Sequence, residues 1–154
     1  MSDQDNGSLS SCCDMLNSVR DFHNHVGAPV WDVPRLIDCD QEAAGRLANE
    51  IRKLIANSAN TPRDPLTLRA YLSLEELSEW LEAHVAGDII AAADAWADRA
   101  YVLFGDAVES GLPATQLFQE VHRSNMSKSA VGRSGKGIKG ASYQPPNLGP
   151  ILNH

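Results

Sequence analysis

The chain contains few cysteines, few aromatic rings and no long apolar runs, and no carboxylate follows Glu120. Cys12, Cys13 and Cys39 are odd in number and have no CxxC spacing, so they suggest neither a disulfide framework nor a zinc site and read as reduced, mostly structural thiols. No hydrophobic stretch approaches the roughly 20 residues needed to cross a bilayer, and the opening Met-Ser-Asp-Gln-Asp-Asn-Gly lacks the basic and apolar character of a secretion signal. A cytoplasmic protein without membrane contact is the expectation. No useful β alternation and no internal repeat are present. With aromatics at only 6%, Trp31, Trp80 and Trp96 read as core or interface area rather than base platforms. His23, His25, His84 and His122 lack metal-ligand spacing and read as structural or surface groups.

What is present is helix. A length of 154 residues with 43% apolar content suits one compact domain. Met15, Val19 and Phe22 mark a helix over about 11–25, and Gly27-Ala28-Pro29 closes it. Residues 30–38 contain Pro34 and read as an ordered loop, after which Asp40 caps a helix over 41–57 whose apolar stripe is Ala44, Leu47, Ile51, Leu54 and Ile55. Residues 58–65 form a connection. Two further helices span 66–86 and 88–110, with Gly87 closing the first and Asp88 capping the second. Pro113 opens a last helix reaching Asn125. The expected fold class is therefore all-α, a four- to five-helix bundle over residues 1–128 completed by oligomerisation, followed by an extended basic tail over 129–154 that packs on the domain or on a neighbouring subunit.

Charge is unevenly distributed. The net charge is −7, yet Arg123, Lys128, Arg133, Lys136 and Lys139 follow the last acid unopposed. Overall acidity argues against binding a nucleic-acid polymer, whereas an acidic body beside a basic tail suits a small polyphosphate carried with its cations; the other reading is a tail that only aids solubility.

The acids concentrate in Leu74-Glu75-Glu76-Leu77-Ser78-Glu79 and in Asp94-Ala95-Trp96-Ala97-Asp98. Spacings of three and four gather each set on one side of its helix. In the first helix they read equally as a solvated flank beside the core stripe Leu74, Leu77, Leu81 and Val85, and Glu76 stands three residues after Ser73, as in a capping box. In the second, Asp94 and Asp98 share a sector with Ala97, Tyr101, Gly105 and Val108, which reads as a packed face; Arg99 points elsewhere on the wheel. Two anions on a packed face require relief, and a divalent cation is the simplest source. Hard cations prefer oxygen ligands and bridge carboxylates to phosphates, so phosphate chemistry is the leading reaction class.

At these residues the chain resembles the all-α nucleoside triphosphate pyrophosphohydrolase superfamily, which includes MazG-like proteins, dimeric dUTPases and phosphoribosyl-ATP pyrophosphohydrolases. Their signature is a Glu-Glu-x-x-Glu helix followed by a Glu-x-x-Asp helix. Glu75-Glu76-Leu77-Ser78-Glu79 supplies the first part and Asp98 the last acid of the second. Ala95 stands where the remaining glutamate is expected, with Asp94 one residue earlier as its substitute. Tyr101 to Gly105, His122 to Lys128, and Gly137-Ile138-Lys139-Gly140 to Tyr143-Gln144-Pro145-Pro146 resemble a bacterial and phage subgroup, so the likeness spans roughly residues 66–152.

The resemblance implies hydrolysis of a nucleoside triphosphate between the α and β phosphates, with Mg²⁺ or Mn²⁺. It implies Glu76, Glu79, Asp94 and Asp98 as metal ligands and Glu75 as the group that orients or deprotonates water. Arg123, Asn125, Lys128, Lys136, Lys139 and Tyr143 are candidates for substrate contact; for Arg123 and Lys128 the competing reading is complementing a helix dipole. A homodimer or homotetramer is implied. Two alternatives stand beside nucleotide-pool housecleaning, a noncatalytic nucleotide-binding or interaction protein and a true phosphoribosyl-ATP pyrophosphohydrolase.

Overall fold

The structure, a computed structural model, describes residues 7–57, 64–132 and 136–153, with side chains from Asp14 onward in the first helix. In chain order the elements are α1 (Gly7–Val26), α2 (Gln41–Asn57), α3 (Pro65–Ala86), α4 (Ile89–Ser110), α5 (Ala114–Met126), β1 (Ser129–Val131), β2 (Gly137–Ile138) and α6 (Gly149–Leu152). The fold is all-α apart from one small hairpin, as the periodicity predicts. The connection at 58–63 and the side chains of Cys12 and Cys13 lie outside the described residues; Cys39 is a free, exposed thiol. No described helix is long and apolar enough to cross a membrane.

Contacts divide the chain into two units. One is Val33–Gly111, and the other joins the described residues up to Asp32 with those from Leu112 onward. In the first unit α3 packs against both α2 and α4. Asp40 caps α2 by accepting from Ala43 N–H at 3.0 Å. Asp64 caps α3, accepting from Thr67 N–H at 3.0 Å and Thr67 Oγ1 at 2.7 Å, with Pro65 in the first turn, where a missing N–H costs nothing. Ser73 is therefore helix interior, and the capping box proposed for Ser73 and Glu76 does not form.

Gly87 ends α3 at φ 75°, a left-handed conformation that side-chain-bearing residues resist, and Asp88 at once caps α4 through Ile90 N–H (2.9 Å) and Ala91 N–H (3.0 Å). This two-residue link turns α3 and α4 into an antiparallel hairpin and so sets their acids side by side. The packed surfaces use small residues. Ala48 and Ile51 of α2, Ser78 and Ala83 of α3, and Ala92 and Ala95 of α4 are buried. Leu74, Leu77, Leu81 and Val85 are only half-buried, and Leu47 and Leu54 of the expected α2 stripe are exposed. The α2 stripe is rotated toward Ala48 because short side chains let helix axes approach, whereas leucines hold them apart.

At the open end of the hairpin Arg69 spans from α3 to α4, donating from Nε to Asp106 at 2.6 Å and from Nη2 to the Val102 carbonyl. A Cβ at position 105 would run into this guanidinium, which accounts for Gly105 in mid-helix.

In the second unit α1 packs on α5 and β1. β1 and β2 pair antiparallel, Ser129 opposite Ile138. Strands of three and two residues are too short to show alternation, which is why sequence reading sees none. The tail continues as loop and α6 and is tied back to α5 within this unit. Of the three tryptophans, Trp31 and Trp96 are more than half exposed in the single chain and so are not core residues within it, while Trp80 is half-buried against the ring of His84 at 4.5 Å.

Asp88→Ala removes both cap bonds of α4 and is expected to lower stability by about 1 kcal/mol, read as a lower urea midpoint with the helical circular dichroism signal preserved.

Candidate active site

Glu75, Glu76 and Glu79 project from α3, and Asp94 and Asp98 from α4. Glu76 is the enclosed member. It is half-buried, and its Oε2 is shut off from solvent with no hydrogen-bond partner. Burial raises its pKa above the ordinary carboxyl value, and Glu79, Asp98, Glu75 and Asp94, in that order, raise it further. The hairpin thus brings the five predicted acids into one electrostatic cluster. Glu75, Glu79, Asp94 and Asp98 are exposed in the single chain. The face shared by Asp94, Asp98, Tyr101 and Val108 is therefore open and not packed within the chain, contrary to the wheel argument: a wheel shows which residues share a side, not what covers it.

Sequence reading missed the cation that reaches this cluster. Arg52 of α2 grips Glu82 with Nε and Nη2, both at 2.9 Å, and its Nη2 lies 3.5 Å from Glu79. The pair holds the Glu82 carboxyl below its usual range, the hydrogen bond from Arg52 being the main cause. The other bases nearby are engaged elsewhere, Lys53 with Glu50 at 2.7 Å and Arg99 over the Trp80 ring at 4.6 Å, the latter as the wheel requires. The available signal was position: Arg52 follows the buried Ile51 and so borders the face that α2 turns to α3. Beside the cluster an open groove of about 320 Å³ is lined by Glu79, Glu82, Ala83, Asp94 and Ala95, among others.

The predicted substrate residues all belong to the other unit. Arg123 donates from Nε and Nη2 to the two oxygens of Glu120, at 2.8 Å each, from Nη1 to Gln144 Oε1 at 2.8 Å, and from Nη2 to the Pro145 carbonyl at 3.1 Å. Glu120 also accepts from Asn147 N–H at 2.7 Å. Its pKa falls to about 2, chiefly through Arg123 and next through Asn147. Ser124 donates to the Gln144 carbonyl at 2.7 Å, and Gln144 N–H donates to Ser127 Oγ at 2.8 Å. Much of the His122 to Lys128 segment therefore binds the tail. Lys128 donates to Asn125 Oδ1 at 2.6 Å, and Lys139 lies 4.9 Å over the Tyr143 ring. Tyr143 has a lowered pKa, first through its hydrogen bond with Ser124. Lys136 is exposed.

The family profile for phosphoribosyl-ATP pyrophosphohydrolase matches residues 49–125, half of the chain, from within α2 to the last turn of α5. The chain belongs to the phosphoribosyl-ATP pyrophosphohydrolase family. Its coarse activity is therefore that of a pyrophosphohydrolase of the MazG-like all-α superfamily. No curated protein and no solved structure matches the chain. The match contains all five acids and Arg52, Glu82, Arg123 and Asn125; Lys128, Lys136, Lys139 and Tyr143 follow it.

Where the family pattern carries a glutamate, Ala95 is 4% exposed and faces the α3 contact. Asp94 is exposed and exerts the smallest of the four carboxylate effects on Glu76, because one residue along a helix turns a side chain by about 100°. Among the described residues no three His, Cys, Asp or Glu side chains are drawn together closely enough to hold a metal ion as they stand. The donor set nevertheless suits a hard cation, since Glu76 carries a buried carboxyl oxygen without a partner and the groups acting on it are all carboxylates.

Two expectations follow. A raised carboxyl pKa means that the folded state holds its proton longer than the unfolded one. The penalty is absent below the unfolded value of 4.5 and grows as pH rises through the higher folded value. In metal-free buffer Glu76→Gln should therefore melt above the parent at pH 7, with the advantage shrinking toward pH 4. Glu120 has the opposite sign: its stabilisation is complete above 4.5 and is lost as pH falls toward about 2. Glu120→Gln should speed hydrogen exchange at the Asn147 amide at pH 7 and leave amides inside α3 unchanged.

Proposed function

We propose that the protein is a divalent-cation-dependent nucleoside triphosphate pyrophosphohydrolase that releases a nucleoside monophosphate and pyrophosphate and serves nucleotide-pool housecleaning. The observation that supports this most is the unpartnered buried oxygen of Glu76, on which four further carboxylates act electrostatically, in a chain of the pyrophosphohydrolase family. Glu76, Glu79 and Asp98 would hold Mg²⁺ or Mn²⁺, with Asp94 in place of the absent acid at Ala95. When bound, the ion neutralises phosphoryl oxygens and lowers the pKa of water.

Glu75, exposed beside this set, orients the attacking water and takes its proton. As the oxygen of that water bonds to the α phosphorus, the α–β anhydride bond breaks and pyrophosphate leaves. Lys128, Lys136 and Lys139 supply cations for the phosphates, with Asn125 positioning Lys128. The donors of Arg123 are taken up by Glu120, Gln144 and Pro145, so its part is to secure the tail. Tyr143 likewise packs the tail.

Assembly belongs to the same reading. Ile90, Tyr101 and Val108 of α4 are 79%, 81% and 82% exposed, a cost that a second copy would remove while drying the adjacent Asp94 and Asp98. A homodimer or homotetramer inside the cell fits both needs. Two other readings each have one supporting observation: the alanine at position 95 favours a noncatalytic nucleotide-binding protein, and the family description favours phosphoribosyl-ATP as substrate.

The deciding experiment is a Mg²⁺-dependent assay of the pure protein against canonical and modified nucleoside triphosphates and phosphoribosyl-ATP, with products resolved. Monophosphate with pyrophosphate is expected from a nucleoside triphosphate, and Glu79→Gln or Asp98→Asn should lower kcat at least about 100-fold with the helical spectrum intact. Turnover confined to phosphoribosyl-ATP would replace the substrate assignment, and nucleotide binding without turnover would replace the enzyme.

A further inference from the structure

Glu79 is claimed twice. In the metal-dependent reading it is a cation ligand, yet the only interaction drawn to it from α2 is with a guanidinium already committed to a second carboxylate. Arg52 meets Glu82 in the two-point arrangement that guanidinium and carboxylate planes favour, at 2.9 Å on each side, and reaches Glu79 at a looser 3.5 Å with the same Nη2. The three residues lie on neighbouring helices of one packed unit, α2 and α3. Their side chains are 37%, 46% and 45% exposed for Arg52, Glu79 and Glu82, so they are open to ions from solvent.

Glu79 and Glu82 are three apart on α3 and present adjacent carboxylates, both lining the groove beside the acid cluster. Deprived of Glu82, Arg52 has a free fork, and Glu79 is its remaining ion-pair partner among the described residues. Deprived of Arg52, Glu79 has no other ion pair among the described residues, and the groove gains a net negative charge.

We propose that Arg52 and Glu82 form a positioning pair that sets the availability of Glu79 to a divalent cation, with Glu82 holding the guanidinium away from the ligand oxygen. This rests on the metal-dependent reading and assigns neither residue to the reacting atoms. The pair acts as a regulator of affinity. It relieves part of the repulsion around Glu79 when no ion is bound, and it leaves Glu79 weakly enough held to be given up.

The consequence is a pair of substitutions with opposite signs. Arg52→Met should tighten Mn²⁺ binding, and Glu82→Gln should weaken it by freeing Arg52 to close on Glu79. A unit charge within several ångströms of a half-exposed divalent ion is worth about fivefold in each direction. In the double variant, Glu82 has no guanidinium to hold, so Glu82→Gln should cost less affinity in the Arg52→Met background than in the parent, only the charge of Glu82 itself being lost.

The test is Mn²⁺ titration of the full chain without nucleotide, followed by paramagnetic resonance of the free ion, for the parent, both single variants and the double variant. Circular dichroism checks folding, and Arg52→Gln replaces Arg52→Met if the latter fails to fold. Opposite shifts, with a smaller loss from Glu82→Gln in the Arg52→Met background than in the parent, support the proposal. Weakening in both single variants overturns it in favour of a purely structural pair. An equal loss from Glu82→Gln in both backgrounds overturns it in favour of a direct charge effect of Glu82. No Mn²⁺ binding by the parent overturns the metal-dependent reading itself, and the pair's proposed role with it.

Discussion

Repulsion among carboxylates is the constraint around which the Val33–Gly111 unit is organised. Five acids stand on two helices joined by a two-residue link, and one of them, Glu76, is turned inward without a donor. Such a group is tolerable only when protonated or when cations approach it. The small residues along the hairpin, Ser78 and Ala83 on α3 and Ala92 and Ala95 on α4, bring the helices close and so make the repulsion unavoidable. The same approach that strains Glu76 is what the proposed cation site would use. A site that binds a hard cation through oxygen must be poorly satisfied without it.

Around this centre the cations are distributed, not concentrated. Arg52 faces the acids from α2, Arg99 is turned away over Trp80, and Arg69 links α3 to α4 at the open end of the hairpin. In the other unit Arg123 is bound to Glu120 and the tail. Each of these cations is held by a carboxylate, a carbonyl or a ring, whereas Lys136 is exposed.

Much of this was legible in the chain itself. The positions of α2, α3 and α4 follow from periodicity together with Asp40, Gly87 and Asp88, and the acids could be placed on helix faces by counting in threes and fours. The resemblance drawn from Glu75-Glu76-Leu77-Ser78-Glu79 and Asp98 agrees with the family match over residues 49–125. Other features were not legible. The start of α3 was assigned correctly to within a residue, but Ser73 and Glu76 still suggested a cap, because a local motif carries no mark of whether the helix has already begun. The β hairpin was too short to have a period. Arg123 was read as unopposed although Glu120, its two-point partner, stands three residues before it; only its further partners, Gln144 and Pro145, lie some twenty residues on.

Local patterns are set by bonds and steric contacts within a few residues, so the sequence by itself determined the helices, their caps and the sides on which the carboxylates stand. Only the tertiary structure decided which carboxylate is enclosed, that position 95 faces inward while Asp94 faces out, and that Arg52 reaches across to Glu79 and Glu82. Those outcomes depend on how closely helix axes approach and at what rotation, quantities fixed by the packing of side chains distant in the chain.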